Sequence, residues 1–259
     1  MRIAIVGSGN VATHISRGLA SAGHDIAGVY SRTSAHAREL ADALGVPVFL
    51  SPEELAAAKP DVVLFSVADA CVSELVGAFP PMPGVVALHT SGTLPQEVLS
   101  PITSDVGILY PLQTFSKAMP VELDKVPFFV EGTTDRTSAC ARELAESLSS
   151  SVHYANAAHR KVLHIAGVLS CNFPNYLWEC CERLLTEAGY PLEVVEPLVR
   201  ATVDKAFAIG PHKAQTGPAR RGDREVIETH EKSLPAPLSE IYRLLSAEIF
   251  KTHHEQNSL

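Results

Sequence analysis

A glycine-rich segment near the start of the chain has the spacing of a phosphate-binding turn. Gly7-Ser8-Gly9-Asn10-Val11-Ala12 fits the pattern G-x-G-x-x-A, and it lies between an apolar run and a stretch with helical periodicity. The first glycine permits a tight turn, the second lets the backbone approach a pyrophosphate, and the free N–H groups at the helix start attract phosphates. The segment therefore predicts a dinucleotide site, the alternative being a structural turn that binds nothing. The predicted contacts are Gly7, Ser8, Gly9, Asn10 and Val11.

The end of the second apolar run indicates which dinucleotide would bind. An NAD site places an acidic residue about 20 residues beyond the glycines, where it accepts hydrogen bonds from the ribose hydroxyls. This sequence has Ser31-Arg32-Thr33 at that place and no acid. A guanidinium flanked by two hydroxyls suits a phosphate dianion, because it can donate two parallel hydrogen bonds. Ser31, Arg32 and Thr33 therefore favour NADP(H) over NAD, the alternative being a solvated surface arginine.

Polar residues that follow three further apolar runs should line the same cleft, because ligands of open parallel sheets bind at the carboxyl ends of the strands. The runs are Asp61–Val67, Val85–His89 and Val106–Leu109. We expect cofactor contacts from Val67, Ala68, Asp69 and His89. We expect substrate contacts from Thr90, Ser91, Gly92 and Gln113.

Three residues of a predicted helix could supply a proton. Reduction of a carbonyl or imine leaves negative charge on oxygen or requires a proton at nitrogen, and a cationic donor meets both needs. Lys161 and His164 share one helix face, and Asn172 returns to it if the helix is straight. We therefore predict Lys161, His164 and Asn172 as catalytic residues. The alternatives are a solvated lysine and a hydrogen-bonded core histidine.

The elements that must position these residues change character near residue 155. Before it, apolar runs alternate with helical patterns, and the runs are nearly continuous in Val, Ile, Leu and Phe, which is typical of strands covered on both faces. This alternation predicts an α/β fold, a Rossmann-type doubly wound and mostly parallel sheet over residues 1–155. Residues 156–259 show only amphipathic stretches and predict an all-α C-terminal domain. The predicted strands are Arg2–Val6, Asp25–Tyr30, Pro47–Leu50, Asp61–Val67, Val85–His89, Val106–Leu109 and Pro127–Val130. The predicted helices of the second domain are Ala157–Leu169, Tyr176–Glu187, Glu193–Ile209 and Leu238–Lys251, with Pro174 interrupting the first two.

The segment Pro211–Leu234 is polar and rich in Gly and Pro, which predicts one long loop. Loops of this length in compact domains are usually functional or disordered. It contains Thr216, Arg220 and Arg221, which could bind an anionic substrate. The alternative is an ion-paired loop at a subunit contact.

Composition excludes several other functions. The 259 residues include 21 Lys+Arg and 29 Asp+Glu, a net charge of −8, without a dense basic block, so neither nucleic acid nor a membrane surface is an expected partner. No apolar run reaches the ~20 residues of a membrane span. The five cysteines form no C-x-x-C pair, which favours a reduced, cytoplasmic protein. The histidines are scattered without ligand spacing, so no metal is expected.

The segments described above resemble known families. The N-terminal motif with Ser31-Arg32-Thr33 resembles the NADP-binding domains of pyrroline-5-carboxylate reductase and the deazaflavin-dependent NADP oxidoreductases. The whole chain resembles a bacterial family of provisionally assigned NADP oxidoreductases, a Rossmann-like domain joined to a helical domain of unassigned function. Segments that carry this likeness are His89–Gly92, Pro111–Phe115, the set Lys161, His164 and Asn172, and Thr216–Asp223, while Tyr110 stands where that family more often has histidine.

A looser resemblance to the β-hydroxyacid dehydrogenases and ketopantoate reductases implies a catalytic lysine at Lys161, although Ile165 stands where they carry asparagine. Together the resemblances imply an NADP(H)-dependent oxidoreductase, and a homodimer. The expected substrate is a small carboxylate-bearing ketone or imine, with ketopantoate-like 2-oxo acids as first candidates. The alternatives are a non-catalytic NADP-binding sensor or regulatory protein, and a structural protein with an empty nucleotide fold.

Overall fold

The computed structural model describes residues 1–254, which form two compact units, Met1–Asn172 and a second that begins at Phe173. The first unit contains one eight-stranded sheet in the order β3-β2-β1-β4-β5-β6-β7-β8. All neighbouring strands are parallel except β6 and β7. The strands are β1 (Arg2–Val6), β2 (Asp25–Tyr30), β3 (Val48–Phe49), β4 (Val62–Phe65), β5 (Val86–His89), β6 (Val106–Pro111), β7 (Phe128–Gly132) and β8 (Val152–Tyr154). The predicted α/β class is therefore confirmed, while β8, three residues long and mostly exposed, was not predicted.

Helices cover both faces of this sheet, as the continuous apolar runs predicted. Ile3 and Ile5 of β1 belong to one apolar cluster, and Ala4 and Val6 belong to another on the opposite face. The first cluster is completed by helices α1, α2 and α5, and the second by α3 and α4. The six helices of this unit are α1 (Asn10–Ser21), α2 (Ser34–Leu44), α3 (Pro52–Ala57), α4 (Asp69–Val76), α5 (Asp135–Leu148) and α6 (Ala157–Gly167).

The second unit is helical throughout its described length, and the single long loop expected at Pro211–Leu234 is wrong. Three helices occupy that segment, because its prolines and glycines cap helices. Pro211 and Pro218 stand at first helical positions, where their fixed φ and missing N–H are tolerated, and Gly222 ends a helix with a φ of 80°. The helices of this unit are α7 (Phe173–Glu187), α8 (Glu196–Ile209), α9 (Pro211–Ala214), α10 (Pro218–Arg221), α11 (Arg224–Ser233) and α12 (Ala236–His254). No helix within residues 1–254 is long and apolar enough to cross a membrane.

Helix α6 is anchored to the sheet through Arg160, and the first compact unit extends beyond the boundary expected near residue 155. Arg160 of α6 is 1% exposed, and its guanidinium is paired with the carboxylate of Glu131 on β7. The same guanidinium donates to the carbonyl oxygens of Ala155, at 3.0 Å, and Leu94, at 3.1 Å. The chain then leaves α6 through a π-helical turn, Val168–Asn172.

Replacing Arg160 by alanine should lower the free energy of unfolding by about 3–5 kcal/mol, because the largely buried carboxylate of Glu131 would lose its partner. Chemical denaturation followed by circular dichroism measures the change. The matched control, Arg142→Ala, removes an exposed ion pair with Glu146 and should cost less than about 0.5 kcal/mol. Similar losses in the two variants would contradict an anchoring role for Arg160.

Candidate active site

A cleft of about 490 Å³ lies where the central strands of the first unit end. Segments from the carboxyl ends of four parallel strands line it, together with one residue of β6 and one of α6. This is where an open α/β sheet binds its ligands. The main lining segments are Gly7–Val11 after β1, 31–33 after β2, 66–69 after β4 and 90–92 after β5, with Tyr110 and His164.

The turn between β1 and α1 has the shape that a pyrophosphate requires. Gly7 has a φ of 114°, its N–H donates to the carbonyl of Tyr30 at 2.8 Å, and a Cβ here would overlap the carbonyl oxygen of Ser66. A Cβ on Gly9 would instead meet nothing within 4 Å, so this side of the turn is open. Gly9 caps α1 without a side-chain hydrogen bond, and the first turn of α1 carries no acid. The positive end of α1 is therefore available to an anion, and the residues present fit a dinucleotide phosphate.

Arg32 stands at the β2 end of the cleft with an exposed guanidinium. Its Nη2 donates to the sulfur of Cys71 at 3.3 Å, and its Nη1 lies 3.7 Å from the carboxylate of Glu74 on α4. Both side chains of that ion pair are exposed, and such pairs contribute little stability, so Arg32 can exchange this partner for a phosphate. Beside it, the hydroxyl of Ser8 donates to that of Ser31 at 3.2 Å.

The opposite end of the cleft contains a network centred on the Asp69 carboxylate. The hydroxyl of Ser91 donates to Asp69 at 2.8 Å, and the hydroxyl of Thr93 donates to the same oxygen. The oxygen of Ser91 also accepts from the backbone N–H groups of Thr93 and Leu94, each at 3.0 Å. Asp69 therefore fixes the loop that follows β5, rather than only facing a cofactor.

Tyr110 is one of the cleft residues that the sequence-based predictions missed, with Val6, Ser66, Cys71 and Leu75. It is the penultimate residue of β6, and its ring packs against Gly92. Burial raises the pKa of Tyr110, and the negative charge of Asp69 raises it further. A signal was present in the sequence, because Tyr110 is a polar side chain at the carboxyl end of an otherwise apolar strand.

Every predicted cofactor contact lines the cleft except His89. His89 is buried. Its Nδ1 accepts from the N–H of Ser91 at 3.2 Å, which leaves Nε2 to donate to the carbonyl of Pro95 at 3.2 Å. Burial lowers the pKa of His89 to about 4, so its imidazole is neutral at neutral pH. His89 therefore stabilises the loop that follows β5 through these two hydrogen bonds and does not face the cleft.

The predicted catalytic set is not brought together. His164 lines the cleft, whereas Lys161 and Asn172 are exposed and lie outside the lining. Lys161 follows the buried Arg160 and is turned from it by about 100° around the helix, on an exposed position of α6. For Asn172 the cause is the π-helical turn, whose wider winding breaks the 100° periodicity on which the prediction relied.

Only some of the residues predicted to contact the substrate line the cleft. Thr90, Ser91 and Gly92 line the cleft, whereas Gln113 is exposed outside it. Thr216, Arg220 and Arg221 belong to the second unit, where they line an open depression with His254, and Arg221 pairs with Asp223 at 2.7 Å.

Comparisons with known proteins agree with this architecture. Residues 2–86 match the family described as NADP oxidoreductase coenzyme F420-dependent, and residues 126–249 match a domain of unknown function, DUF2520. No match is found among curated proteins.

Solved structures match over nearly the whole chain. A Bacteroides fragilis protein, provisionally assigned as an NADP oxidoreductase, is 32% identical with a TM-score of 0.87, and the match covers 96% of this chain and 98% of that one. Two structures share the fold at 19% identity. A reductive aminase from Aspergillus terreus, in complex with NADPH and ethyl levulinate, has a TM-score of 0.70 with 95% and 94% coverage. The 1-pyrroline-5-carboxylate reductase of Streptococcus pyogenes has a TM-score of 0.61 with 97% and 98% coverage. The chain therefore belongs to the family of NADP oxidoreductases that join an F420-dependent-type NADP oxidoreductase domain to a DUF2520 domain.

Proposed function

We propose that the protein is an NADPH-dependent reductase of small carboxylate-bearing ketones or imines. The observation that carries the proposal is a single cleft with a phosphate-binding turn and Arg32 at one end, and with proton-bearing side chains at the other. The fold of the reductive aminase, which was solved with NADPH and a keto ester, supports the reaction class. Ketopantoate-like 2-oxo acids remain the first candidate substrates.

The residues at the β2 end of the cleft would hold the cofactor. The N–H groups of the turn Gly7–Val11 would bind the pyrophosphate, and Ser31, Arg32 and Thr33 would bind the phosphate that distinguishes NADP(H) from NAD(H). Val67, Ala68 and Asp69 would line the opposite wall. When bound, NADPH supplies the hydride that reduces the substrate carbon.

The residues at the β5–β6 end would bind and orient the substrate. Thr90 and Ser91 present hydroxyl oxygens to the cleft, and Gly92 leaves room beside them. His164 adds an imidazole to the lining, a side chain that can donate or accept a hydrogen bond. Lys161 and Asn172 stay as predicted catalytic residues, and Gln113, Thr216, Arg220 and Arg221 as predicted substrate contacts.

The reaction class is tested by NADPH oxidation, followed at 340 nm, with ketopantoate, pyruvate, levulinate and 1-pyrroline-5-carboxylate. We expect turnover of at least one carboxylate-bearing compound, and a loss of about tenfold or more in kcat/KM when its ester replaces it, because an ester cannot make a charge-assisted hydrogen bond. Tight NADPH binding without turnover of any compound would instead favour a non-catalytic sensor.

Cofactor selectivity should depend on Arg32. Arg32→Ala should weaken NADPH binding about 10–100-fold and leave NADH binding unchanged, because a charged hydrogen bond is worth about 1.5–3 kcal/mol. Calorimetric titration measures both affinities. The matched control is Arg38→Ala, which removes an exposed arginine of α2 outside the cleft lining and should alter neither affinity. A wild type that binds NADH as tightly as NADPH would refute this role.

We also propose that two copies of the chain form a homodimer through the second unit. Among its described residues only Cys180, Ala219 and Ser246 are buried, while α8 exposes Leu198, Val203 and, at 90%, Phe207. Apolar exposure on this scale is characteristic of an interface.

The cytoplasm remains the proposed location, since all five cysteines are free.

Sedimentation equilibrium should give twice the chain mass of 27.7 kDa. Phe207→Asp should shift the protein toward the monomer, because a carboxylate would be buried without a partner. Leu50→Asp changes an equally apolar, exposed side chain of the first unit and should not. A wild type that sediments as a monomer would exclude the dimer.

A further inference from the structure

We propose that the hydroxyl of Tyr110 donates a hydrogen bond, and then its proton, to the oxygen or nitrogen of the substrate's reducible double bond. This assignment rests on the proposed function, since it names the proton donor for that reaction. The assignment of Tyr110 is independent of the predicted catalytic residues Lys161, His164 and Asn172, which lie on α6 or in the turn that follows it.

The position of Tyr110 in the sheet places it at the substrate end of the cleft. β6 is four strands away from β2 in the sheet order, and neighbouring strands lie about 4.8 Å apart, so roughly 19 Å separates the ends of β2 and β6. Arg32 follows β2 and would hold the phosphate of NADP(H). Tyr110 therefore lies at the far side of the cleft from that phosphate.

Tyr110 has a hydroxyl that is free to act, unlike its neighbours. The Ser91 hydroxyl proton is donated to Asp69, and the Thr90 hydroxyl donates to Ser66 at 3.2 Å. Tyr110 is 7% exposed, yet it lines the cleft. Within residues 1–254 its hydroxyl makes no hydrogen bond. The hydroxyl oxygen is also not one of the fully buried polar atoms that lack a partner, so it is accessible. This hydroxyl therefore faces the cleft with its donor available.

The ring is also held in place before any ligand binds. A Cβ on Gly92 would lie 2.7 Å from Cζ and 2.9 Å from the hydroxyl oxygen of Tyr110, so only glycine leaves the ring its present position. On the antiparallel neighbour β7, Phe129 is the register partner of Tyr110, and the two ring centroids are 6.3 Å apart. A donor fixed in this way is preorganised, which is the main source of electrostatic catalysis.

The protonation state of the group is suitable for donation. Burial and the charge of Asp69 raise the pKa of the phenol, so it carries its proton at neutral pH. In the reduction, the π bond of the substrate's C=O or C=N group and the O–H bond of Tyr110 break. The carbon gains a C–H bond from the hydride that NADPH would supply, and the oxygen or nitrogen that receives the π electrons takes the phenolic proton. NADPH supplies the two electrons, as the family's activity requires. The phenolate then recovers a proton from water in the open cleft.

The test compares Tyr110→Phe with Tyr154→Phe, an exposed tyrosine on β8 outside the cleft lining. With the most active compound of the panel, Tyr110→Phe should lower kcat about 10²–10³-fold, the range for general acid catalysis, while Tyr154→Phe keeps kcat. Calorimetry provides a readout without turnover. Levulinate binding to the protein–NADP⁺ complex should weaken about fivefold in Tyr110→Phe, as expected for one lost hydrogen bond, while the affinity for NADPH stays unchanged.

A second variant, Gly92→Ala, keeps the hydroxyl but displaces the ring, and it should also lower kcat at unchanged NADPH affinity. The assignment is overturned if Tyr110→Phe retains kcat within about twofold, or if it loses NADPH affinity together with activity, which would indicate a structural role. It is overturned as well if His164→Gln abolishes turnover while Tyr110→Phe does not. A wild type that neither binds nor reduces any compound overturns the proposed function itself, and this assignment with it.

Discussion

The close approach of the Gly7 backbone to the end of β4 is the constraint on which the cleft depends. Gly7 donates to the last residue of β2 and leaves no room for a Cβ beside Ser66, so three strand ends meet at one point. This contact aims the start of α1 across the sheet edge and brings the segments after β2 and β4 to either side of it. A larger residue would need both a strained φ and a displaced β4, which would separate the two walls of the cleft.

The two ends of the cleft differ in how firmly their side chains are held. At the β2 end Arg32 is exposed and has only weak partners, which suits its proposed role of binding a charged phosphate. At the other end Asp69 fixes the loop after β5 from the front, while His89 and Arg160 bind the carbonyls of Pro95 and Leu94 from behind. The proposed substrate end is therefore held in place by side-chain contacts before ligand binds, and a reaction that depends on donor placement benefits from such rigidity.

Local patterns predicted the elements well and long-range contacts poorly. Seven strands followed from apolar runs, because burial on both faces leaves a continuous signal, whereas β8 has too little buried surface to leave one. Pro211 and Pro218 resembled loop residues, since the sequence alone does not separate a helix start from a turn. The contacts of Arg160 join residues up to 66 positions apart, so no local periodicity could reveal that this side chain anchors α6 to the first unit. The expected common face of Lys161, His164 and Asn172 assumed a straight helix, and the π-helical turn at Val168–Asn172 interrupts it.

Charge in the cleft limits which substrates it can hold unaided. Among the lining residues in the described part of the chain, Asp69 is the acid and Arg32 the one arginine, and the proposed role of Arg32 is to bind the cofactor phosphate. The carboxylate of Asp69 repels an anionic substrate at the end where Tyr110 would act, most strongly where the surroundings exclude water. A carboxylate-bearing ketone therefore needs a compensating cation beyond Arg32. Lys161, the predicted catalytic cation of the first unit, stands outside the lining. The reacting group alone needs only the uncharged donor of Tyr110, so the chemistry and the choice of substrate depend on different residues.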